Sequence, residues 1–395
     1  MTALRGLRVL DVTQVLAGPY CGQLLADMGA EVTKVEPPGT GDQSRKSLGF
    51  TMKGEDTAAF LAVNRNKRSL TLNLKEDEGR EVFYRLVRDA DVVIENYRPG
   101  VAKRLGIDYP TLSAINPQVI CASISGYGQT GPYADRPAHD LIAQGMSGLM
   151  SVTGEPGGPP AKVGISIADL SAGLFCAFGI LSAYVARLRT GRGQYVDTSI
   201  FEAPLALAVF ESTELWGLDR VPQPLGSTNR TAAPNQAFRA RDGYLNVCAA
   251  NDRLWERLCT VLGREDLLAD PRFGSNLERL HHQDDLAGEL ESVLQERDAE
   301  EWVTLLLDAG VPAGSILDYR QVFDDPHTHA RQMVTEVEHP VEGVVRGLGI
   351  PVKLSETAGQ VRTAAPLLGQ DTAEILAALG YSPADVESLR ERGIV

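Results

Sequence analysis

The residue best placed to do chemistry is Asp169. It stands in Gly164-Ile165-Ser166-Ile167-Ala168-Asp169, ahead of the apolar stretch Leu170 to Leu188. An aspartate at the mouth of a helix has two uses. It can cap the helix by accepting backbone N–H bonds, whose loss costs about 1 kcal/mol. It can also be a nucleophile. Free N–H groups at a helix start keep a carboxylate ionised, small neighbours leave room for a large reactant, and an ionised carboxylate can form acyl adducts. The residues alone leave both uses open. His139, in Pro137-Ala138-His139-Asp140-Leu141-Ile142-Ala143-Gln144, is either part of a helix-start His-Asp pair or a group at an active-site mouth. His281-His282 and His327-Thr328-His329 lie in polar helix-end or loop settings with no partner ligand nearby in sequence. They read as solvated surface residues, and no metal site is expected.

Other chemistries lose their motifs. Leu7 to Val12 followed by Tyr20 to Met28 looks like the opening of a dinucleotide fold, with Glu36 in the place of its ribose-binding acid. The intervening turn, Asp11 to Pro19, carries no G-x-G-x-x-G, so the pyrophosphate cradle is missing. The chain has no G-x-x-x-x-G-K-[ST] and no G-x-S-x-G. Its five cysteines are scattered and include no C-x-x-C pair, which argues against zinc ribbons, redox dithiols and a disulfide framework.

The elements that must hold Asp169 follow from hydropathy. Strand patterns at 7–12, 31–36, 68–72, 90–95, 117–123 and 193–199 alternate with helical stretches at 20–28, 75–89, 109–115 and 170–188. This βα rhythm predicts a parallel sheet with helices on both faces. A helix is expected over 200–216. Residues 218–236, with three prolines and little periodicity, read as a linker. Residues 237–325 form a smaller unit with a strand at 244–249 and helices near 253–262, 277–295 and 299–309. Strands at 333–337, 344–348 and 352–354 and helices at 371–379 and 383–392 complete the chain. The resulting plan is a large α/β part over 1–217, a linker over 218–236, a small domain over 237–325, and a return over 326–395.

Composition narrows the partners. The 395 residues carry a formal charge of −14, which argues against nucleic acid or an anionic membrane. Residues 64–105 run the other way, with ten basic and seven acidic side chains. Lys67-Arg68, and Arg98 beside Pro99-Gly100, are candidates to hold a phosphorylated ligand at an element end. The stretch 170–188 carries serines and glycines and stands alone, so a buried helix is expected rather than a membrane span. No signal peptide is recognisable at the N-terminus, and a cytoplasmic location is expected.

Several motifs in order resemble the class III CoA-transferases, the family of formyl-CoA transferase, carnitine CoA-transferases and 2-methylacyl-CoA racemase. They are Leu10-Asp11 to Ala17-Gly18-Pro19, Gly29-Ala30 to Glu36, Gly39-Thr40-Gly41-Asp42, Asn66-Lys67-Arg68-Ser69, Asp91 to Gly100, Thr190 to Gln194, and Ala365 to Thr372. The resemblance covers nearly the whole chain. It implies a Rossmann-like large domain built from both chain ends, a smaller α+β domain, and an interlocked homodimer. It also implies an enzyme that moves CoA from an acyl-CoA to a small carboxylic acid, with CoA as substrate and no permanently bound cofactor. Asp169 would be the nucleophile, passing through a mixed anhydride and an aspartyl-CoA thioester.

CoA contacts would come from Gln14, Val15, Leu16, Ala17, Leu72, Lys75, Asn96, Tyr97, Arg104 and Leu105. Gln14 and Pro37 depart from formyl-CoA transferase, where Arg45 or Arg98 is expected to compensate. Gly126 and Gly128 are candidates to offer N–H groups to an oxyanion. In the racemase branch His139 and Asp169 would exchange an α-proton. There a glutamate stands where this chain has Asn251, which tilts the reading to transferase. A CoA-binding protein without catalysis is a further alternative, against which the intact Asp169 argues.

Overall fold

The computed structural model describes residues 1–395, which divide into two compact units. One comprises 1–149, 162–218 and 326–395, the other 150–161 and 219–325. The expected plan ran the large part unbroken through 217 and left 218–236 as a linker. Instead 150–161 joins 219–325, and the end of the expected linker already pairs as a strand.

The larger unit is organised by six parallel strands: β1 (Arg8–Asp11), β2 (Glu31–Glu36), β3 (Lys67–Thr71), β4 (Val92–Glu95), β5 (Ile120–Ser125) and β6 (Tyr195–Ser199). Their order is β3-β2-β1-β4-β5-β6. The chain therefore winds outward one way from β1 and then restarts at β4 on the other side. Central strands β4 and β5 are buried along their whole length, as expected of a parallel sheet covered on both faces. On one face Val9, Val92, Ile94 and Ile120 pack against helices Ala17–Asp27 and Ile167–Thr190. On the other, Leu10, Val35, Leu70 and Val93 meet helices Asp77–Val87 and Tyr109–Ile115 and the C-terminal pair Thr372–Ala378 and Pro383–Glu391. The chain's end is tied to the sheet edge, since Asp371 and Thr372 hydrogen-bond Ser69 and Thr71 of β3.

Helix Ile167–Thr190 is long and apolar enough to cross a membrane by length and composition alone. Ala168, Ala172, Cys176 and Ile180 are fully buried against the sheet. Leu174, Phe178, Val185 and Leu188 face outward and are exposed, so the expected buried helix is buried on one face only. Helix Ala17–Asp27 approaches it closely at Gly173, where a Cβ would stand 2.8 Å from the Ala17 carbonyl oxygen.

The expected helix 200–216 is two pieces, Glu202–Ala206 and Val209–Leu218. Tight bonds from Leu207 N to Pro204 O and from Ala208 N to Leu205 O close the first piece. No strand forms at 352–354, because the short apolar alternation there finds no neighbouring ladder. A hairpin of β10 (Val334–His339) and β11 (Gly343–Leu348) also belongs to this unit.

The smaller unit has an antiparallel sheet of β7 (Asn235–Arg239), β8 (Tyr244–Cys248) and β9 (Ala313–Ser315). Helices Asp252–Leu262, Asn276–His281, Gln283–Leu294 and Ala299–Asp308 pack around a core that includes Phe238, Trp255, Phe273 and Trp302. The helix expected over 277–295 breaks at His282, whose backbone leaves the helical region.

Candidate active site

Asp169 is the third residue of helix Ile167–Thr190, one turn ahead of the close approach at Gly173. It is not the cap. Asp140, in the first turn of helix Asp140–Met146, caps instead: its Oδ1 accepts the N–H of Ala168 at 2.9 Å and, more weakly, that of Asp169 at 3.4 Å. Gln144 Nε2 donates to Asp140 Oδ2 at 2.7 Å, and Gln144 Oε1 accepts from Val163 N at 2.9 Å. Asp140 and Gln144, four residues apart on one helix face, thus clamp the chain on both sides of the turn into Asp169.

The Asp169 carboxylate has no hydrogen-bond or ion-pair partner. Burial, followed by the neighbouring Asp140 charge, pushes its pKa up to about 7. This reverses the expectation that the helix start would keep it strongly ionised. The N–H groups meant to do so are taken by another carboxylate, and that carboxylate repels it.

The second locus is the C-terminal edge of the sheet, where strand order reverses between β1 and β4. Open parallel sheets bind ligands at such a switch point. Residues 14–17 follow β1 and residues 96–98 follow β4, and the two loops are stitched together. Gln14 N donates to Asn96 Oδ1 at 2.8 Å, and Asn96 Nδ2 donates to Gln14 O at 2.7 Å. The N–H groups of Leu16, Ala17 and Gly18 at the following helix start donate to no protein acceptor. Such a start suits a phosphate-bearing ligand.

Among the other expected CoA contacts, Leu72 and Lys75 follow β3, with Leu72 buried and Lys75 exposed. Tyr97 and Leu105 are half-buried; Arg98 and Arg104 are exposed and carry no salt bridge. These positions all lie in loops or short helices that leave strand C-termini.

The basic segment is otherwise a poor guide. Lys67 lies at the start of β3, fully buried on Asp11 at 2.8 Å, with Pro19 O and Asn64 Oδ1 as its other acceptors. Arg68 pairs with Asp371 and Glu374. Arg45, expected to compensate at the CoA site, is buried between Glu36 at 2.7 Å and Asp56 at 2.8 Å. Glu36 is spent on Arg45 and Ser69. Of the positively charged side chains singled out from sequence, Lys75, Arg98 and Arg104 stay exposed and without a salt bridge.

A cavity of ≈ 1360 Å³ is lined by Arg5, Arg8, Glu31 and Arg362 among others, at the opposite, N-terminal ends of β1 and β2. It contains neither Asp169 nor the 14–17 turn.

His139 precedes helix Asp140–Met146, exposed, with no bond to Asp169. Asn251 is a helix cap, its side chain accepting Leu254 N at 3.0 Å. Gly128 cannot offer its N–H to an oxyanion, because Ser125 Oγ accepts it at 2.9 Å. Gly126-Tyr127-Gly128-Gln129-Thr130-Gly131 has dinucleotide-loop spacing after β5, yet no helix starts there, so it lacks the phosphate-facing N-terminus of that motif. No cluster of ligating side chains suits a metal ion. Sequence reasoning missed Asp140 as the capping and charge-bearing partner of Asp169. Its own position, four residues before Gln144 and next to His139, was the available signal.

Comparison with known proteins bears on these loci. A family model described as CoA-transferase family III matches residues 4–372. The chain is 42% identical to an acetyl-CoA:oxalate CoA-transferase of Acetobacter aceti, over 89% of this chain and 88% of the relative. It is also 42% identical to a succinyl-CoA:mesaconate CoA-transferase of Haloarcula hispanica, over 98% of this chain and 100% of the relative. Its fold is similar to the crystal structure of a CAIB/BAIF family protein from Brucella suis. The TM-score is 0.84 at 38% identity, covering 96% of this chain and 99% of that one.

Proposed function

The chain belongs to CoA-transferase family III, and from that premise we propose that it transfers CoA between an acyl-CoA and a small dicarboxylic acid through Asp169. One Asp169 oxygen attacks the thioester carbonyl of the donor. The carbon–sulfur bond breaks, CoA leaves as thiolate, and an aspartyl–acyl anhydride remains. The thiolate then attacks the side-chain carbonyl carbon of Asp169 and expels the donor acid as its carboxylate, leaving an aspartyl-CoA thioester. The acceptor carboxylate attacks that thioester, forming a second anhydride and releasing thiolate again. The thiolate takes the acceptor's acyl carbon and frees Asp169. No step consumes water, so the thioester's energy survives if water is kept from the anhydride.

The observation that carries this reading is the division of labour at the helix start: Asp140 does the capping, and the Asp169 carboxylate is left unpartnered. Its pKa of about 7 leaves a substantial ionised fraction near neutrality and a carboxylate that is more basic than an ordinary one. The CoA moiety, a substrate rather than a resident cofactor, is assigned to the 14–17 turn, Leu72, Lys75, Asn96 to Arg98, Arg104 and Leu105. The acceptor class follows the two relatives named for oxalate and mesaconate. We further propose an interlocked homodimer; the exposed apolar row Leu174, Phe178, Val185 and Leu188 supports a covered face there.

α-Proton exchange by His139 and Asp169 is disfavoured, because His139 is exposed and Asn251 is spent as a cap. The deciding experiment is a screen of acetyl-CoA and succinyl-CoA against short dicarboxylic acids, run in water and in deuterated water. Formation of a new acyl-CoA without α-deuterium is expected. Deuterium incorporation without transfer would overturn the reading in favour of a racemase.

A further inference from the structure

Three consecutive residues of the first turn are each held by a side chain from elsewhere in the larger unit. Thr13 O accepts from Lys34 Nζ at 2.9 Å, and Lys34 comes from β2. Gln14 is held through both its N–H and its carbonyl by Asn96. Val15 N donates to Asp42 Oδ1 at 3.0 Å. Lys34 and Asp42 are themselves an ion pair at 2.8 Å, and both side chains are completely buried. Asp42 Oδ1 also accepts from Ser44 N and Ser44 Oγ, each at 2.8 Å, which orients the carboxylate.

Between these clamps Val15 has φ 73°. A β-branched residue in the left-handed region is strained, and such a conformation persists only where its surroundings over-determine it. Glycine would adopt it freely. The chain keeps valine there and surrounds it with buried charge.

We propose that the buried Lys34–Asp42 pair is a positioning device that holds Val15 left-handed, and that this conformation aims the free N–H groups of Leu16, Ala17 and Gly18 at the CoA moiety. The proposal rests on the reading of this turn as a CoA site. With φ negative at Val15 the chain would leave the turn on another course, and the helix start at Ala17 would be displaced from the Asn96 loop.

Burial works to raise the Asp42 pKa, but the Lys34 charge and its hydrogen bonds bring it down to about 2. Burial likewise works against Lys34, whose pKa nonetheless rises because Asp11, Asp42 and Glu36 surround it. Both groups therefore stay charged across the working range, and the device acts as a fixed brace.

Calorimetric titration with CoA alone tests it, on the full chain and beside thermal melts. Asp42→Asn is expected to weaken CoA binding by about tenfold, and to raise KM for the acyl-CoA more than it lowers kcat. Adding Val15→Gly to Asp42→Asn is expected to restore most of the lost affinity, because glycine needs no brace to stay left-handed. A purely structural role for the pair would show no such rescue. Asp42→Asn binding CoA as tightly as the wild type, or a double variant no better than the single one, overturns the proposal. Failure of the wild-type protein to bind CoA would instead strike the reading of the site beneath it. If Asp42→Asn does not fold, Val15→Pro takes its place, since its ring forces φ near −65°. Folded Val15→Pro protein that binds CoA like the wild type would equally overturn the proposal.

Discussion

The first turn and the start of helix Ile167–Thr190 use buried charge in opposite ways. Around the turn three buried cations each have a carboxylate partner: Lys34 with Asp42, Lys67 with Asp11, Arg45 with Glu36. These pairs pin backbone carbonyls and amides and hold the loops still. At the helix start the two carboxylates Asp140 and Asp169 share a neighbourhood with no cation paired to either. Opposite charges make a rigid frame. At the helix start burial without a cation, with the like charge of Asp140 added to it, makes Asp169 the more basic and reactive group.

The largest effect that would break this contrast is chemical. Asp169→Ala is expected to reduce transfer by at least roughly a thousandfold while CoA still binds; retained turnover would remove Asp169 from its role. The next is structural. Lys67→Met strands Asp11 in the interior, where removing one partner of a buried pair costs about 3–5 kcal/mol. Urea denaturation reads this directly, and a loss below about 1 kcal/mol would mean the pair behaves like a surface one.

The smallest effect sharpens the other side. Asp140→Asn keeps an oxygen for the Ala168 N–H but drops the charge. The Asp169 limb of the pH–rate profile should therefore move to lower pH, without reaching the ordinary carboxylate range because burial, the larger cause, remains. The stability counterpart has a definite sign. The folded pKa of about 7 lies above the ordinary aspartate value of 3.8, so folded Asp169 retains a proton that the unfolded chain releases. Its contribution is full below that lower value and is lost as pH rises through about 7. Asp169→Asn should consequently gain stability relative to the wild type on going from about pH 5 to about pH 8. No such gain would mean that the carboxylate is solvated.

Much of the frame was readable without coordinates. The apolar run Ala90 to Glu95 falls on β4, because a strand buried on both faces shows in composition wherever it sits, and the segment Glu31 to Glu36 falls on β2. Helix Tyr109–Ile115 has the bounds the sequence suggested. The cap at Asn251 was not recognised, although it is a local feature that takes Leu254 N three residues on.

The site was legible only in part. Asp169 was conspicuous by its setting, but nothing near it in sequence says that Asp140, 29 residues earlier, supplies the cap and the repulsion. The excess of positive charge over 64–105 pointed to a phosphate ligand, yet Lys67 belongs to Asp11, 56 residues away. A count of charges carries no information about which are neutralised across the sheet.

By itself, then, the sequence determined the alternation of strands and helices, the family, and the short list of groups able to react, since hydropathy period and residue type are local properties. Tertiary structure alone decided which carboxylate caps and which is left bare, which cations are spent on buried partners, and that Val15 is held left-handed. Each of these depends on groups far apart in the chain meeting in a medium of low dielectric, where pairing or its absence sets both conformation and pKa.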